Sequence, residues 1–360
     1  MKLKRRVLII VALLLIVGLI VGLLPGNAIG LNGYYRYVYT PAQSVRGYLF
    51  NYLPISIGDA IYIVAGGWVL YTLVKSGRYL VKCRSEKNNL VRSALGAVTV
   101  LLSVYIAFVV GWGANYYQQP LYKTWALDKG KDTLDLVAFD SILVDRLNRL
   151  APAYKDLSLE AINAKAKEAY AQHTDISIAQ PGLRIKYSYF GYFLDRLAIE
   201  GYYNPFTGEG QISYRLPAFM LPFVISHEMA HQAGIAAEGD ANLLAYAVGT
   251  SSADPSFLYS ANLNLWLYVN ARLGRRDSVA AQLWENKLNS LTQQHLQILE
   301  ERSKLYDNDA SRYSGEMFDS YLKMQQQKQG IKSYGNVTAN AWQLERLRQK
   351  GEAPVKFQVP

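Results

Sequence analysis

Hydrophobic and polar positions divide the chain into two regimes. Three long apolar runs occupy the first third. Residues 7–24 are unbroken apolar residues and glycine, closed by Pro25 and Gly26. Residues 55–74 form a second run with Asp59 near its start, and 93–112 a third without any charge. As a helix, each run is long enough to cross a hydrocarbon core about 30 Å thick. Lys2, Lys4, Arg5 and Arg6 before the first run give it the flanks of a signal peptide, but the run is long for that role and reads as an uncleaved anchor.

Beyond the third run the pattern changes to short periodic segments. Residues 115–131 read as a membrane-proximal connector whose Tyr and Trp suit the interface. Residues 134–150 and 158–172 have the spacing of amphipathic helices, 183–190 alternate as a strand does, and 209–217 read as a second strand. From 255 on the pattern is helical again: 255–273, one long helix over 278–306, then 313–329 and 337–350, with 351–360 as a loose tail. The predicted class is α+β and mostly helical. It comprises a three-helix transmembrane region over 1–115, a globular domain over 116–350, and the tail.

Charge fixes the expected orientation. Lys2, Lys4, Arg5 and Arg6 precede the first run, and Lys75, Arg78, Lys82, Arg84, Lys87 and Arg92 fill the stretch between the second and third. Only Arg36 and Arg46 lie between the first and second. By the positive-inside rule the N-terminus is cytoplasmic and the domain extracytoplasmic, making this a multi-pass protein of the cell membrane. Residues 1–115 hold 12 Lys/Arg and 2 Asp/Glu, so the whole net charge of +10 lies there and 116–360 balance at zero. The basic character is thus a topology signal, and no nucleic-acid partner is expected. The single cysteine, Cys83, lies outside the domain, which therefore has neither disulfides nor thiolate ligands.

The candidate chemistry sits at 227–231, which reads His-Glu-Met-Ala-His. Residues four apart share a helix face, so His227 and His231 can reach one ion. Glu228 can then act as the base on water held by that ion. Glu228 apart, no charge lies between Val224 and Ala233, as suits a buried helix whose polar face is the metal face. Gly234 is placed to end that helix as a left-handed cap. In the next stretch Glu238, Ala241, Asn242 and Ala245 fall on one helical face. Glu238 is the favoured third ligand with Asp240 as the alternative, and Asn242 is positioned to hold a ligand histidine from behind. Otherwise these acids are an ordinary helix N-terminus. His173 and His295 read as surface residues. Tyr334, in a Gly-flanked loop, is the first candidate for an oxyanion donor, with Tyr246 and Tyr259 as alternatives.

HExxH followed by Glu-x-x-Ala-Asn-x-x-Ala resembles the gluzincin metallopeptidases. In those, two His and a Glu bind zinc and the motif Glu is the general base. The fuller string from His227 to Tyr246 resembles an uncharacterised bacterial membrane-protein family with N-terminal transmembrane helices and a zincin-like domain. This chain departs from that family's usual pattern with Asp240 for a second Glu and Leu243 for Phe. The resemblance runs from the first apolar run to near Tyr334. It implies a Zn2+ cofactor bound by His227, His231 and Glu238, Glu228 as base, and a peptide or protein substrate. It also implies that the strand before the motif helix, if it is an edge strand, pairs with extended substrate. The alternative is a zincin-like sensor that binds peptide without turnover, or a structural protein in which the two histidines merely pack. For topology, a reporter fused after Lys87 is expected to be cytoplasmic and one fused after Gln119 external; finding both on one side would refute three spans.

Overall fold

The computed structural model describes residues 2–81, 83–127, 133–175, 182–306, 309–324 and 334–359. The first apolar run is helix α1 (Lys2–Leu23). The stretch after it, which carries no apolar periodicity of its own, is helical almost throughout. Asn27 accepts from the Gly30 amide and starts α2 (Ala28–Tyr34). The chain then passes through a wide i→i+5 turn over Tyr35–Tyr39, α3 (Thr40–Arg46), and a second wide turn over Gly47–Asn51. The second and third runs form α4 (Ile57–Val81) and α5 (Cys83–Gly111). Within them Ile57–Tyr79 and Asn89–Gly111 are long and apolar enough to cross a membrane, and little of either is buried inside the protein. Both α1 and α4 pack along α5.

A short 3-10 turn (Gly113–Tyr117) and α6 (Leu121–Thr124) lead into the domain. Asp135 and Ser158 cap α7 (Leu136–Leu150) and α8 (Leu159–His173) by accepting from the third amide beyond. Three short strands follow around one small helix: β1 (Ile185–Tyr187), α9 (Gly191–Arg196), β2 (Gly201–Tyr203) and β3 (Gly210–Ile212). Next come α10 (Leu221–Gln232), α11 (Glu238–Gly249) and α12 (Pro255–Gly274), the last capped by Asp254. The described remainder is α13 (Ser278–Glu285), α14 (Ser290–Tyr306), α15 (Asp309–Met324) and α16 (Tyr334–Lys350). The core gathers Ile225 and Met229 of α10, Leu243 and Leu244 of α11, and Leu263 of α12. Around them stand Phe139, Ile162 and Leu344.

The class is as expected, mostly helical with a little strand. Several particulars differ. β3 is the middle strand, parallel to β1 and antiparallel to β2. Both its hydrogen-bonding edges are therefore used, and the strand before the motif helix cannot take an extended substrate. The expected helix over 278–306 is two helices, because Asn289 accepts from the Thr292 amide and so starts a new one, while pairing with Asn148 of α7. The C-terminal segment is tied down: Phe357 is buried, packs on Trp125, and bridges to the end of α8 through His173 and Asp175. His295 is also buried, stacked on Phe219 and bonded to the Tyr259 hydroxyl. An amphipathic spacing could not show it, since the packing partner comes from a distant loop.

The start of α4 is plugged into the small sheet by polar groups. Lys186 of β1 gives its ammonium to the Phe50 and Ile55 carbonyls and to Glu209, at 2.7–2.8 Å, which satisfies all three donors. Glu209, fully buried, accepts in turn from the amides of Ile57 and Gly58 at the N-terminus of α4. Asp59, also fully buried, accepts from the Ser188 hydroxyl, the Tyr189 amide and the Tyr202 hydroxyl. Lys186→Met strands the Glu209 charge, so it is expected to cost about 3–5 kcal/mol. The measurement is thermal unfolding of full-length protein in detergent; an unchanged midpoint would mean the pair is not part of the cooperative unit.

Candidate metal centre

α10 is apolar nearly all round, which is why it lies buried under α11, α12 and the sheet. Its end is a paired-bond turn: the Ile235 amide donates to Ala230 O and the Gly234 amide to His231 O. Gly234 sits at φ +93°, and a Cβ there would lie within 2.8 Å of the rings of Tyr35 and Tyr39. Glycine is needed on both counts. The predicted cap is therefore present, and it has a second use. It brings the Ile235 carbonyl to 2.6 Å from His231 Nδ1.

That contact fixes a tautomer. A carbonyl only accepts, so His231 carries its proton on Nδ1 and turns the Nε2 lone pair inward. His227 Nδ1 lies 3.0 Å from Asn242 Oδ1, which sets the same tautomer there. The two Nε2 atoms are 3.1 Å apart. Glu238, at the start of α11, brings one oxygen to 3.3 Å from His227 Nε2 and the other to 3.5 Å from His231 Nε2. Metal bonds of about 2.0–2.2 Å in a tetrahedron separate ligand atoms by roughly 3.3–3.6 Å. The two Glu238 separations fall in that range and the 3.1 Å between the imidazoles just below it, so the three side chains have close to the spacing of ligands around one small ion and could hold a metal. Asp240 does not join them. It accepts from the Leu121 amide instead, and burial raises its carboxyl to about 7.

Glu228, one position past His227, meets β2. A Cβ on Gly201 would lie 2.6 Å from Glu228 Oε1, so the strand passes at backbone distance. Glu228 is buried, and its Oε2 has no hydrogen-bond partner among the described residues. Burial pushes its carboxyl up to about 7; His227 and His231 pull it down, and Glu238 and Glu200 push it further up. For His231, burial lowers the basicity, but the Glu238 charge and hydrogen bond, with Glu228 behind them, outweigh it and raise the imidazole to about 9. Glu238 is held well below the usual carboxylate range; burial opposes this, and the two histidines overcome it.

Among the tyrosines considered from sequence, Tyr246 donates to Glu345 and Tyr259 bonds Thr292 and His295, both away from the metal ligands. Tyr334 is the first residue of α16 rather than part of a loop. Its side chain, and residues 325–333 before it, lie outside the described residues. A phenol not singled out in the sequence, Tyr268 of α12, feels the charge of the cluster: its ionisation is pushed up by burial and then by Glu200 and Glu238, so it stays protonated. Sequence reasoning missed it because the chain has 28 tyrosines and only the packing of α12 on α10 and α11 selects this one. Glu200, just before β2, was missed in the same way.

Trp112, one residue past the end of α5, packs edge-on to His231 with ring centres 6.1 Å apart. The last carbonyls of α10 are taken by the membrane-proximal segment. Tyr39 donates to His231 O and Gln232 O, Tyr35 to Ala233 O, and Trp112 Nε1 approaches His231 O at 3.4 Å.

Residues 34–340 match the profile of a family described as "Protein of unknown function (DUF3810)". Neither the curated proteins nor the solved structures contain a match to the chain.

Purified protein is expected to take one metal ion per chain. His231→Ala should abolish uptake and Asp240→Asn should leave it intact, while Asn242→Ala should weaken affinity by about 10–100-fold. Titration sets a further sign. In metal-free protein His231 is protonated up to about pH 9, so an ion entering at pH 7.5 must displace that proton. Calorimetry in buffers of different ionisation enthalpy should therefore show proton release on binding, fading above the His231 value. Uptake without protons at pH 7.5 would contradict the site.

Proposed function

The chain belongs to the DUF3810 family, and we propose that it is a membrane-anchored, zinc-dependent peptidase that cleaves peptide bonds at the extracytoplasmic face. One observation carries this reading: two imidazole lone pairs and a carboxylate converge at near-tetrahedral spacing, and next to them is a buried carboxylate, Glu228, one of whose oxygens has no partner among the described residues. A structural zinc site closes its tetrahedron with four protein ligands, whereas three ligands leave one position open for water, beside which Glu228 can act.

Zinc, when bound, supplies Lewis acidity that polarises a carbonyl and makes water more acidic. The chain's residues supply the rest. His227, His231 and Glu238 hold the ion. Glu228 takes the proton of the attacking water and returns it to the leaving amine, a role suited by a carboxyl near neutrality. Tyr268 offers a phenol hydrogen to the oxyanion. Burial excludes bulk water from these charges.

The membrane reading has three spans: α1, α4 and α5. The basic residues at the N-terminus and around 75–92 lie on the cytoplasmic side. Two contacts support this arrangement. The start of α4 and the end of α5 both meet the domain, as they must if one hairpin crosses and returns to the domain's side. A second reading, a sensor that binds peptide without turnover, draws on the bonds from Tyr35, Tyr39 and Trp112 to the motif helix, which link the site to the spans mechanically.

Glu228→Gln is expected to keep the fold and the metal and to lose hydrolysis of a peptide library by about 10²–10⁴-fold. Tyr268→Phe should lower kcat by roughly 10²–10³-fold with zinc retained. Equal cleavage by wild type and Glu228→Gln would remove the peptidase reading. Zinc and peptide binding without cleavage by either would establish the sensor.

A further inference from the structure

The domain exposes aromatic side chains in one neighbourhood. Tyr189, Tyr192, Phe193 and Tyr214 are each at least half exposed. They belong together: Tyr192 and Phe193 rings lie 5.8 Å apart, and a Cβ on Gly191 would lie 2.4 Å from the Tyr214 ring. Such a cluster on a water-exposed face is costly, and it asks for a partner.

Its position names the partner. The Tyr189 amide donates to Asp59 at 2.7 Å, and Asp59 is the third residue of α4, at the start of the apolar stretch Ile57–Tyr79. Tyr202 bonds the same carboxylate and packs on Tyr62, one turn into that stretch. Tyr189 is therefore level with the end of a helix whose next residues are apolar and outward-facing. Tyrosine concentrates at that level of a bilayer, with its ring among the headgroups and its hydroxyl in water. Arg196 lies beside Tyr192, adding a cation suited to phosphate headgroups.

The same strand leads to the catalytic carboxylate. Gly201 lies against Glu228, while Tyr202, the next residue, lies against α4. On the other side His231 touches Trp112, just past the end of Asn89–Gly111. Base and ligand are each within one side chain of a helix that leaves the apolar layer.

We propose that Tyr189, Tyr192, Phe193 and Tyr214 seat in the lipid headgroup layer and hold the metal centre at the bilayer surface, where its substrate is a polypeptide anchored in the same membrane, engaged where it emerges. The substrate half rests on the peptidase reading; the lipid contact does not.

The lipid contact is tested without turnover. Full-length protein lacking its single cysteine (Cys83→Ser) is given a nitroxide at Phe193→Cys or Tyr192→Cys and placed in nanodiscs containing phosphatidylglycerol. Collision with dissolved oxygen is compared with collision with a polar nickel chelate. Labels at Val110→Cys, at the end of α5, and at the exposed Val279→Cys of α13 set the scale. The oxygen-to-nickel ratio at 192 and 193 should be several-fold above that at 279 and near that at 110. A ratio equal to that at 279 overturns the contact. For the substrate half, one cleavable sequence is placed at increasing spacing from a transmembrane anchor in the same disc. Cleavage should be confined to bonds close to the anchor and lost when a spacer of about 20 residues, up to roughly 70 Å, is inserted. Cleavage independent of spacing overturns that half. If no spacing is cleaved, the substrate half falls with the peptidase reading, and the label ratio alone decides the contact.

Discussion

Two imidazole lone pairs and a carboxylate, all aimed at one point inside the protein, cannot be left to repel one another. A cation must sit between them, whether a metal ion or the proton that His231 holds up to about pH 9. Much of the surrounding structure keeps those atoms from turning away. Asn242 and the Ile235 carbonyl hold the far nitrogens, so neither ring can move the single N–H of its neutral form inward without losing a buried bond; only an added proton, as on His231, points inward. The Ile235 carbonyl is in place only because Gly234 lets the helix end in a left-handed turn, and that turn is pressed against Tyr35 and Tyr39. The electrostatic demand of the site is passed outward in this way, from ligands to helix cap to the segment between the first two apolar helices.

That segment makes the membrane-proximal part and the domain structurally continuous. A three-stranded sheet of three-residue strands has little stability of its own. It is held on one side by α10 and on the other by the polar plug at the start of α4. Lys186, Glu209 and Asp59 are all buried, and each is matched nearly bond for bond. Such a plug adds little net stability compared with an apolar contact of the same shape. What it adds is register. Glu209 fits only the free amides that begin a helix, so β3 is docked on α4 at one height. Since β2 is hydrogen-bonded to β3 and touches Glu228, the position of Glu228 relative to α4 is set by the same bonds.

The parts of this arrangement that were legible in the sequence are those written in local spacing. His227 and His231 four apart, and Glu238 and Asn242 four apart, imply two polar helix faces that can meet, and Gly234 supplies the stop between them. The preference for Glu238 over Asp240 followed from the same face; Asp240 accepts from the Leu121 amide. What could not be read depends on distant packing. Residues 28–51 have no simple period because their helix is broken by two wide turns, which re-aim Tyr35 and Tyr39 towards α10. Tyr268 sits on an apolar helix without any motif, and only the packing of α12 on α10 and α11 brings it within reach of the Glu200 and Glu238 charges. The 209–217 segment read only as a strand, with an edge position no more than implied by the resemblance, because nothing local to it tells of β1 arriving in parallel from more than twenty residues earlier.

Glu228 is the place where the sequence departs from what folding alone would choose. A carboxylate with an orphaned oxygen in an apolar helix is a standing cost to stability, of a kind that folded proteins almost always avoid. Among the described residues no donor reaches that oxygen. β2 presents a glycine at this point, where a Cβ would lie 2.6 Å from Glu228 Oε1, so the strand backbone passes close to the carboxylate. The histidines give partial relief, but Glu200 and Glu238 oppose it, and the net effect leaves the group close to neutrality in its titration. A buried carboxyl near neutrality, with one oxygen that has no partner among the described residues, is thus a cost the fold carries beside His227, His231 and Glu238.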